Sequence, residues 1–418
     1  MNRLVKFPVI FNDAELARFR QDTPGVLAVT HLNNAGAGLM PDQVTKAVLD
    51  HIRFESETGG YEAAAAKADA IGSFYTLAGE LLNCKPENIA FTASATDAYT
   101  RALSSIPFSG GDVILTDKDD FVSNQLQFLA CQKRFGVRIV HIENAQQGGV
   151  DLSDLEYKLF KLKPKLLAIT HIPTNSGLIQ PVTGIAEIYS RYRDLHDEPT
   201  WYILDACQSV GQLKLDVNAL ACDFLSVTAR KFLRGPRGTG FLYVSDRALN
   251  AGLEPLFIDM RGAEWTSASI YKQRPGAVRF EDWEFAYALV LGTAEAIRYY
   301  LGIGETRISR QIQHAAHYLR SRLSEIGGLR VLDRGAELGG LVTFTFDGLS
   351  DPADLFRTLS RARFNVVPSY RQYAVLDFDE KKAAWAVRAS PHYYNTQEEL
   401  DNFIAEVAGF AVRLTALS

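Results

Sequence analysis

The stretch ILDACQSVGQLKLDVNALACDFLSVTARKFLRGPRGTGFLYV, residues 203–244, decides most of the fold. It contains three apolar runs of the length and composition that form strands, and a short Gly-rich turn separates the last two. Asp205 ends the first run and Lys231 follows the second. Because open α/β sheets collect ligand-binding groups at the carboxyl ends of their strands, we expect Asp205 and Lys231 to reach one crevice.

The same alternation of strands and helices extends upstream. Most of the runs are continuously apolar, as in strands covered on both faces, and helical segments such as Thr96–Ser104 and Gly184–Leu195 lie between them. The pattern predicts an α/β fold with a mostly parallel seven-stranded sheet, in which the short turn makes the last two strands antiparallel. The predicted strands are 89–93, 112–116, 138–142, 166–170, 201–206, 224–228 and 240–245.

A smaller α+β unit is predicted downstream. A long helix should begin near Glu281, and it is followed by a mixture of helices and strands. The predicted elements are a helix over 305–327, strands near 329–333 and 340–346, a helix from Asp351, and strands near 364–368 and 384–390. We therefore divide the chain into an N-terminal segment packing on the small domain, 1–30, a large domain, 31–295, and a small C-terminal domain, 296–418.

Composition excludes several classes of function. The chain has 418 residues, 47% hydrophobic and 22% charged, with a net charge of -5, which is typical of a globular enzyme or binding protein. No basic block points to nucleic acid, and no long apolar run points to a membrane. The four cysteines show no metal-ligand spacing, so we expect no metal site and free thiols in a cytoplasmic protein.

Asp205, Gln208 and Lys231 together suggest a particular chemistry. A carboxylate can keep a pyridinium nitrogen protonated, and a lysine can condense with an aldehyde, which are the two requirements of a pyridoxal 5′-phosphate site. Each residue alone has an ordinary explanation, since a lone Asp at a strand end is commonly a cap and a lone Lys is commonly solvated. The ordered set of Asp, Gln, Lys and GPRGTG across a strand pair is much harder to obtain by accident.

This segment resembles the signature of the class V aminotransferases, which include cysteine desulfurases, selenocysteine lyases, kynureninases and isopenicillin N epimerases. The resemblance extends from HLNNAGAG, near residue 31, to VRASPHYYNTQEELD at the end of the chain. It implies a fold-type-I pyridoxal-phosphate enzyme that acts on a small amino-acid substrate, commonly as a homodimer with its active sites at the subunit interface.

The resemblance also implies roles for individual residues. FTASATDAYTRAL matches a turn that holds the cofactor phosphate at a helix N-terminus; a simple Thr or Ser N-cap is the alternative, and a bound phosphate is compatible with it. Phe121, in DDFVSNQ, matches the residue that stacks on the cofactor ring, and core packing is the alternative. Thr174 falls at the contact to the cofactor hydroxyl, with Asn175 one position later. The implied cofactor-binding set is Ala95, Thr96, Phe121, Thr174, Asp205, Gln208, Thr228, Arg230 and Lys231. Arg230 stands where many relatives carry His.

Arg388, in VRASPHYYNT, matches the arginine that binds the substrate α-carboxylate, a group that a planar guanidinium fork suits. A surface ion pair is the other explanation for Arg388. Asn34 and Tyr61 are proposed to contact the substrate side chain. Lys231 and Asp205 are the expected catalytic residues, with the freed Lys231 amine as general base.

Departures from the family pattern reduce the number of reactions that the chain is expected to catalyse. The stretch 365–387, where cysteine desulfurases carry a nucleophilic Cys, contains none, and Cys207 beside Asp205 is best explained by packing. RFEDWE (279–284) replaces the more usual RFEAGT. With RGPRGTGFLYV, ETGGYEAA and VRASPHYYNT, it most resembles the ergothioneine-pathway C–S lyases.

The resulting hypothesis is a C–S β-lyase that cleaves a cysteine S-conjugate or sulfoxide to pyruvate and ammonia. A transaminase, an epimerase and a desulfurase using an external thiol would need the same residues. An alternative outside the enzymes is a binding protein that has lost catalysis. The chain argues against it by retaining the four residues Asp205, Gln208, Lys231 and Arg388.

Overall fold

A seven-stranded sheet forms the centre of the larger unit in the computed structural model, which describes residues 9–196 and 199–417. Its strands are β2 (Ile89–Thr92), β3 (Val113–Thr116), β4 (Arg138–His141), β5 (Leu166–Thr170), β6 (Trp201–Asp205), β7 (Phe224–Thr228) and β8 (Gly240–Val244). The spatial order is β2-β8-β7-β6-β5-β3-β4, and only β8 runs antiparallel to its neighbours. The predicted mostly parallel sheet and its antiparallel strand pair are confirmed.

Helices cover both faces of this sheet, since six of its strands are buried along their whole length. They are α2 (Asp42–Thr58), α3 (Gly60–Ala66), α4 (Ala68–Leu82), α5 (Ala95–Ser104), α6 (Val122–Phe135), α7 (Leu152–Leu162), α8 (Val182–Asp194), α9 (Val217–Leu220), α10 (Asp246–Asn250) and α11 (Tyr287–Ile303). A hairpin of β9 (Ala263–Ser267) and β10 (Ile270–Gln273) projects from the unit with mostly exposed side chains.

The C-terminal unit has its own four-stranded antiparallel sheet, in the order β11-β12-β15-β14. Its elements are α12 (Glu305–Leu323), β11 (Leu329–Val331), β12 (Val342–Phe346), α13 (Ala353–Arg361), β13 (Phe364–Asn365), β14 (Val367–Tyr370), α14 (Val375–Lys381), β15 (Trp385–Ala389) and α15 (Gln397–Leu417). A separate hydrophobic core lies between this sheet and helices α12, α13 and α15. The α11 helix runs across position 295, so a continuous helix leads from one unit into the other.

The N-terminal part of the chain lies against the C-terminal unit. The first helix, α1 (Asp13–Gln21), begins with a capping box at Asn12, and its Arg20 Nη1 is 2.9 Å from Glu399 Oε1. The short strand β1 (Thr30–His31) pairs in parallel with β13. Residues 1–8 of the predicted N-terminal segment lie outside the described residues.

One predicted helix start is wrong. The long helix begins at Tyr287 and not near Glu281, because the Glu281 carboxylate is buried and used for tertiary hydrogen bonds. It accepts from Arg261 Nε at 2.5 Å and from the backbone N–H of Phe91 at 2.8 Å. The following helix also ends earlier than predicted, at Leu323.

Candidate functional site

Asp205 lies at the floor of a cavity at the carboxyl end of the central strands. It is the last residue of β6 and is 5% exposed. One carboxylate oxygen accepts a hydrogen bond from the backbone N–H of Cys207 at 2.9 Å, and the other accepts from Asn124 Nδ2 at 3.0 Å. The carboxylate is therefore held in one orientation, with lone pairs still available to a ligand.

Lys231 reaches the same cavity from the turn that follows β7, so the predicted meeting of Asp205 and Lys231 is observed. Burial lowers the pKa of the Lys231 amine to about 8, with Arg230 and Arg388 lowering it further and the Cys207 and Asp205 acids opposing the change. Lys231 forms no salt bridge within the part of the chain that the structure describes. Such an amine is available as a nucleophile and as a base near neutral pH.

The N-terminus of α5 forms one wall of the cavity. Ser94 is the N-cap and accepts from the backbone N–H of Asp97 at 3.1 Å, while Ala95 and Thr96 open the helix toward the cavity. Gly240 of β8 packs directly behind this turn, since a Cβ at that position would lie 2.6 Å from Ser94 C and 2.8 Å from Ala95 N. Unpaired N–H groups and the helix dipole make this wall suitable for a phosphate.

The other walls bring together the remaining predicted cofactor residues. Gln208 Nε2 donates to Thr174 Oγ1 at 2.9 Å and to Ala35 O at 3.1 Å, and its buried Oε1 has no protein partner. The predicted residues that line the cavity are Ala95, Thr96, Phe121, Thr174, Asp205, Gln208, Thr228, Arg230 and Lys231.

Arg388, on β15, adjoins the cavity through Thr174. Its Nη1 donates to Thr174 Oγ1 at 2.8 Å and to Thr174 O at 3.0 Å, and its Nη2 lies 3.4 Å from Asn33 Oδ1. Its Nε is buried and has no hydrogen-bond partner. Burial and the nearby Arg230 lower the pKa of Arg388 to about 10. Arg388 is therefore a partly buried cation without a carboxylate partner among the described residues, which rules out the surface ion pair.

Arg230 faces the loop 33–38. Its guanidinium donates to Gly36 O, and its own carbonyl accepts from the backbone N–H of Gly38 at 2.7 Å. The loop lies so close to this turn that a Cβ at Gly38 would stand 2.6 Å from Lys231 O. The resemblance implies that Arg230 binds the phosphate. Its hydrogen bond to Gly36 O does not support that role, because it ties the guanidinium to the loop 33–38.

Two predicted substrate residues are placed elsewhere. Asn34 is fully buried, its Nδ2 donates to Ser390 O at 2.8 Å, and its Oδ1 accepts from Tyr394 Oη at 2.7 Å. Its amide is thus occupied in holding β1 to the C-terminal unit. Tyr61, on α3, is 74% exposed and does not line the cavity formed by the described part of this chain.

Several residues at or near the cavity were not assigned to it from the sequence, and one of them, Cys207, had been attributed to packing. Asn124 lies one helical turn after Phe121 and bonds Asp205, a spacing that the DDFVSNQ motif contains. Asn33, next to the proposed Asn34, is the residue that approaches Arg388. Asp120 accepts from Asn124 Nδ2 at 2.9 Å. Cys207 lines the cavity as a thiol, because burial and Asp205 raise its pKa well above the ordinary value.

These groups fit pyridoxal 5′-phosphate. A buried carboxylate, an amine with a lowered pKa, an open helix N-terminus and the unpartnered Gln208 Oε1 supply partners for a ring nitrogen, an aldehyde, a phosphate and a ring hydroxyl. No group of three or more acidic, His or Cys side chains among the described residues could hold a metal. The fold and the cavity together define a fold-type-I pyridoxal-phosphate enzyme.

Comparison with known proteins gives the family. The model of the aminotransferase class-V family matches residues 30–403, and the chain therefore belongs to this family of pyridoxal-phosphate enzymes. A probable cysteine desulfurase of Methanothermobacter thermautotrophicus is 27% identical over 93% of this chain and 97% of its own. A probable hercynylcysteine sulfoxide lyase of Mycobacterium tuberculosis is 25% identical over 94% and 92%.

A solved structure agrees with the fold over nearly the whole chain. The cysteine desulfurase of Thermococcus onnurineus has a TM-score of 0.85 and 25% identity, covering 97% of this chain and 98% of its own. The predicted family, fold and cofactor are thus confirmed. In addition, no helix in the described residues is long and apolar enough to cross a membrane.

Proposed function

We propose that this enzyme cleaves the Cβ–S bond of a cysteine S-conjugate or S-oxide by β-elimination. The proposal is carried by a cavity suited to a pyridoxal-phosphate reaction on an amino acid, together with the lack of a thiol in the segment that precedes Arg388. Residues 365–387 contain no cysteine and run from the end of β13 through β14, a short turn and α14 into β15. Both a desulfurase and a sulfoxide lyase among the relatives fit a cysteine-like substrate.

The side chains would divide the work as follows. Lys231 would hold the cofactor and, as a free amine, would remove the Cα proton of the substrate, which its lowered pKa allows near neutral pH. Asp205, held by Asn124 and the Cys207 N–H, would keep the ring nitrogen protonated. Arg388 binds the α-carboxylate and so orients the Cα–H bond. When bound, the cofactor supplies the electron sink for the reaction.

The remaining cofactor contacts are assigned by position in the cavity. Ala95, Thr96 and Thr228 would hold the phosphate, Phe121 would cover the ring, and Thr174 with Gln208 would contact the ring hydroxyl. The phosphate assignment uses the N-terminus of α5, whose dipole favours a dianion. The hydroxyl assignment uses Gln208 Oε1, which has no protein partner.

The overall reaction is balanced without an external oxidant or reductant. The Cα–H bond breaks toward Lys231, the Cβ–S electron pair leaves with sulfur, and the leaving group takes up a proton as a thiol or a sulfenic acid. One water then hydrolyses the three-carbon remainder, so that the products are pyruvate and ammonium.

Persulfide formation on this chain would need a nucleophilic thiol near the substrate. Cys207 lines the cavity, but burial and Asp205 raise its pKa, so it remains a weak nucleophile. Cys131 and Cys222 are buried away from the cavity, and Cys84 is half-buried at the end of α4. These positions favour elimination over transfer of sulfur to the protein.

The test is product analysis by mass spectrometry after incubation of the purified holoenzyme with cysteine, S-alkylcysteines and their sulfoxides. We expect pyruvate and ammonium in equal amounts from an S-conjugate or a sulfoxide. Alanine from cysteine in the presence of an external thiol would identify a desulfurase. A spectral change without elimination products would identify a transaminase or an epimerase and overturn the proposal.

Arg388→Lys tests the carboxylate assignment in the same assay. A lysine retains the charge but loses the two-pronged geometry, so we expect KM to rise at least about tenfold with a smaller effect on kcat. Arg413→Lys, at an exposed position of α15, is the matched control and should leave both constants unchanged. An unchanged KM in Arg388→Lys would show that another group binds the carboxylate.

A further inference from the structure

A buried cluster of charged groups lies outside the cavity, between the two units. Lys381 Nζ is 2.6 Å from Asp377 Oδ1, one turn apart on α14, and both side chains are almost fully buried. Asp119, from the loop between β3 and α6, faces the same pair, and the Asp377 carboxyl is within hydrogen-bonding reach of it. Asp119 Oδ2 has no hydrogen-bond partner. A second buried carboxyl group, that of Asp119, therefore lies beside the buried ion pair of Asp377 and Lys381.

The loop that carries Asp119 also carries the cavity wall. Asp120 accepts from Gln125 Nε2 at 2.9 Å and from Asn124 Nδ2 at 2.9 Å, and Asn124 in turn bonds Asp205. Phe121 follows directly and lines the cavity. A shift of Asp119 would consequently be transmitted to the residues around the proposed ring site.

The segment 367–381, which carries Asp377 and Lys381, precedes β15, the strand of Arg388. Besides the charged cluster, it contacts the large unit through Ser369, whose hydroxyl donates to Asn175 Oδ1, and through Glu380, which accepts from Asn144 Nδ2 at 3.0 Å. Residues 367–370 form β14, which pairs antiparallel with β15 and places Val367 opposite Arg388. A movement of this segment would therefore displace both Arg388 and the mouth of the cavity.

We propose that Asp119, Asp377 and Lys381 form a latch that holds the segment 367–381 closed on the large unit. The three are positioning residues, because they act on the site through Phe121 and Arg388 and do not touch the cavity themselves. That they influence substrate binding rests on the proposed function of Arg388, whereas the latch itself does not.

The charge surroundings set the direction of the pH effect. Burial and Asp377 raise the pKa of Asp119 to about 8, and Lys381 opposes the change only in part. The charged groups around it are Asp117 and Asp120 on its own loop, Asp377, Glu380 and Lys381 on α14, and Arg334, which pairs with Glu380. An open segment would return Asp119 to the ordinary carboxyl range, so closing takes up a proton. Closing is therefore strongest in acid, weakens as the pH rises, and reaches its minimum above about pH 8.

Hydrogen–deuterium exchange of the holoenzyme, read by mass spectrometry on peptides covering 367–381, tests the latch without reference to turnover. After correction for intrinsic exchange, we expect protection in the wild type to fall by up to about tenfold per pH unit between pH 6 and 8 and then to level off. In Asp119→Asn, whose amide is neutral at all pH values and can donate to Asp377, protection should be independent of pH. The KM for substrate should rise with pH in the wild type and less in this variant.

Asp379→Asn is the matched control, because Asp379 lies on the same helix in an exposed ion pair with Arg371. It should keep the wild-type pH dependence. If Asp119→Asn does not fold, Asp377→Asn removes the same repulsion from the other side. Identical protection profiles in the wild type and the cluster variant would overturn the latch. A pH-independent variant in an enzyme that releases no pyruvate would retain the latch and reject only the proposed function.

Discussion

Among single residues, Lys231 is the most informative, because its surroundings lower the pKa of its amine. A lysine in water holds its proton far above neutral pH, and Lys231 is prevented from doing so mainly by burial. Arg230 and Arg388 add to the effect, and Asp205 limits it. The same two arginines prepare the cavity for anions, because neither has a carboxylate partner in the described residues.

The lowered pKa makes a kinetic prediction for Lys231. Only the neutral amine attacks an aldehyde, so the rate at which cofactor-free protein captures pyridoxal phosphate should rise about tenfold per pH unit up to pH 8 and then level off. Stopped-flow absorbance would measure this rate. In Arg388→Gln the loss of a nearby positive charge should move the midpoint to higher pH. A wild-type midpoint near that of free lysine would contradict the buried environment.

At the scale of elements, the site depends on how closely α5 approaches β8. The helix N-terminus can face a phosphate only because Gly240 lets the strand pass directly behind Ser94 and Ala95. Glycine is therefore required at position 240, the third glycine of GPRGTG, by packing against α5 as well as by the turn itself. A larger residue would move the helix start, the strand or both.

Gly240→Ala tests this close approach. Its Cβ would also stand 2.5 Å from Val227 O, so we expect a loss of about 2 kcal/mol in stability and at least about tenfold weaker cofactor binding. Denaturant unfolding and fluorescence titration with pyridoxal phosphate would measure the two effects. Gly72→Ala, on α4 with no atom within 4 Å of the new Cβ, is the control and should be neutral or slightly stabilising. Normal cofactor affinity in Gly240→Ala would show that the helix start tolerates displacement.

At the scale of the whole molecule, Arg234 joins three distant parts of the chain. It is 2% exposed and donates to Thr23 Oγ1 at 2.6 Å, Leu39 O at 2.7 Å and Tyr393 Oη at 2.5 Å. Its guanidinium also lies 4.6 Å from the centre of the Tyr394 ring. The N-terminal segment, the Lys231 turn and the C-terminal unit are thus connected through one side chain.

Arg234→Leu should therefore destabilise the whole protein. Removal of three buried hydrogen bonds leaves their partners unsatisfied, for which we expect a cost of about 3 kcal/mol in the free energy of unfolding. Arg237→Leu, three residues later and exposed, is the control and should change stability by less than about 0.5 kcal/mol. Urea unfolding followed by circular dichroism would compare them, and equal midpoints would contradict a connecting role for Arg234.

The sequence by itself determined which segments form the seven strands and which polar residues stand at their ends. Continuous apolar runs are dictated by burial on both sheet faces, and a polar residue that ends such a run must lie at the sheet edge, so the seven strands and the meeting of Asp205 with Lys231 were predictable. The resemblance added the other cavity residues, because their motifs are local in sequence. The start of α11 was not predictable, since the buried ion pair of Glu281 with Arg261 overrides a helical pattern.

Only the tertiary structure decided which side chains are free to bind a ligand. Asn33 and Asn34 are adjacent and chemically identical, yet Ser390 and Tyr394 occupy the second and leave the first facing Arg388. The contact of Asp119 with Asp377 joins positions more than 250 residues apart in number. Neither outcome has a local signal, because each depends on the packing of the C-terminal unit against the large one.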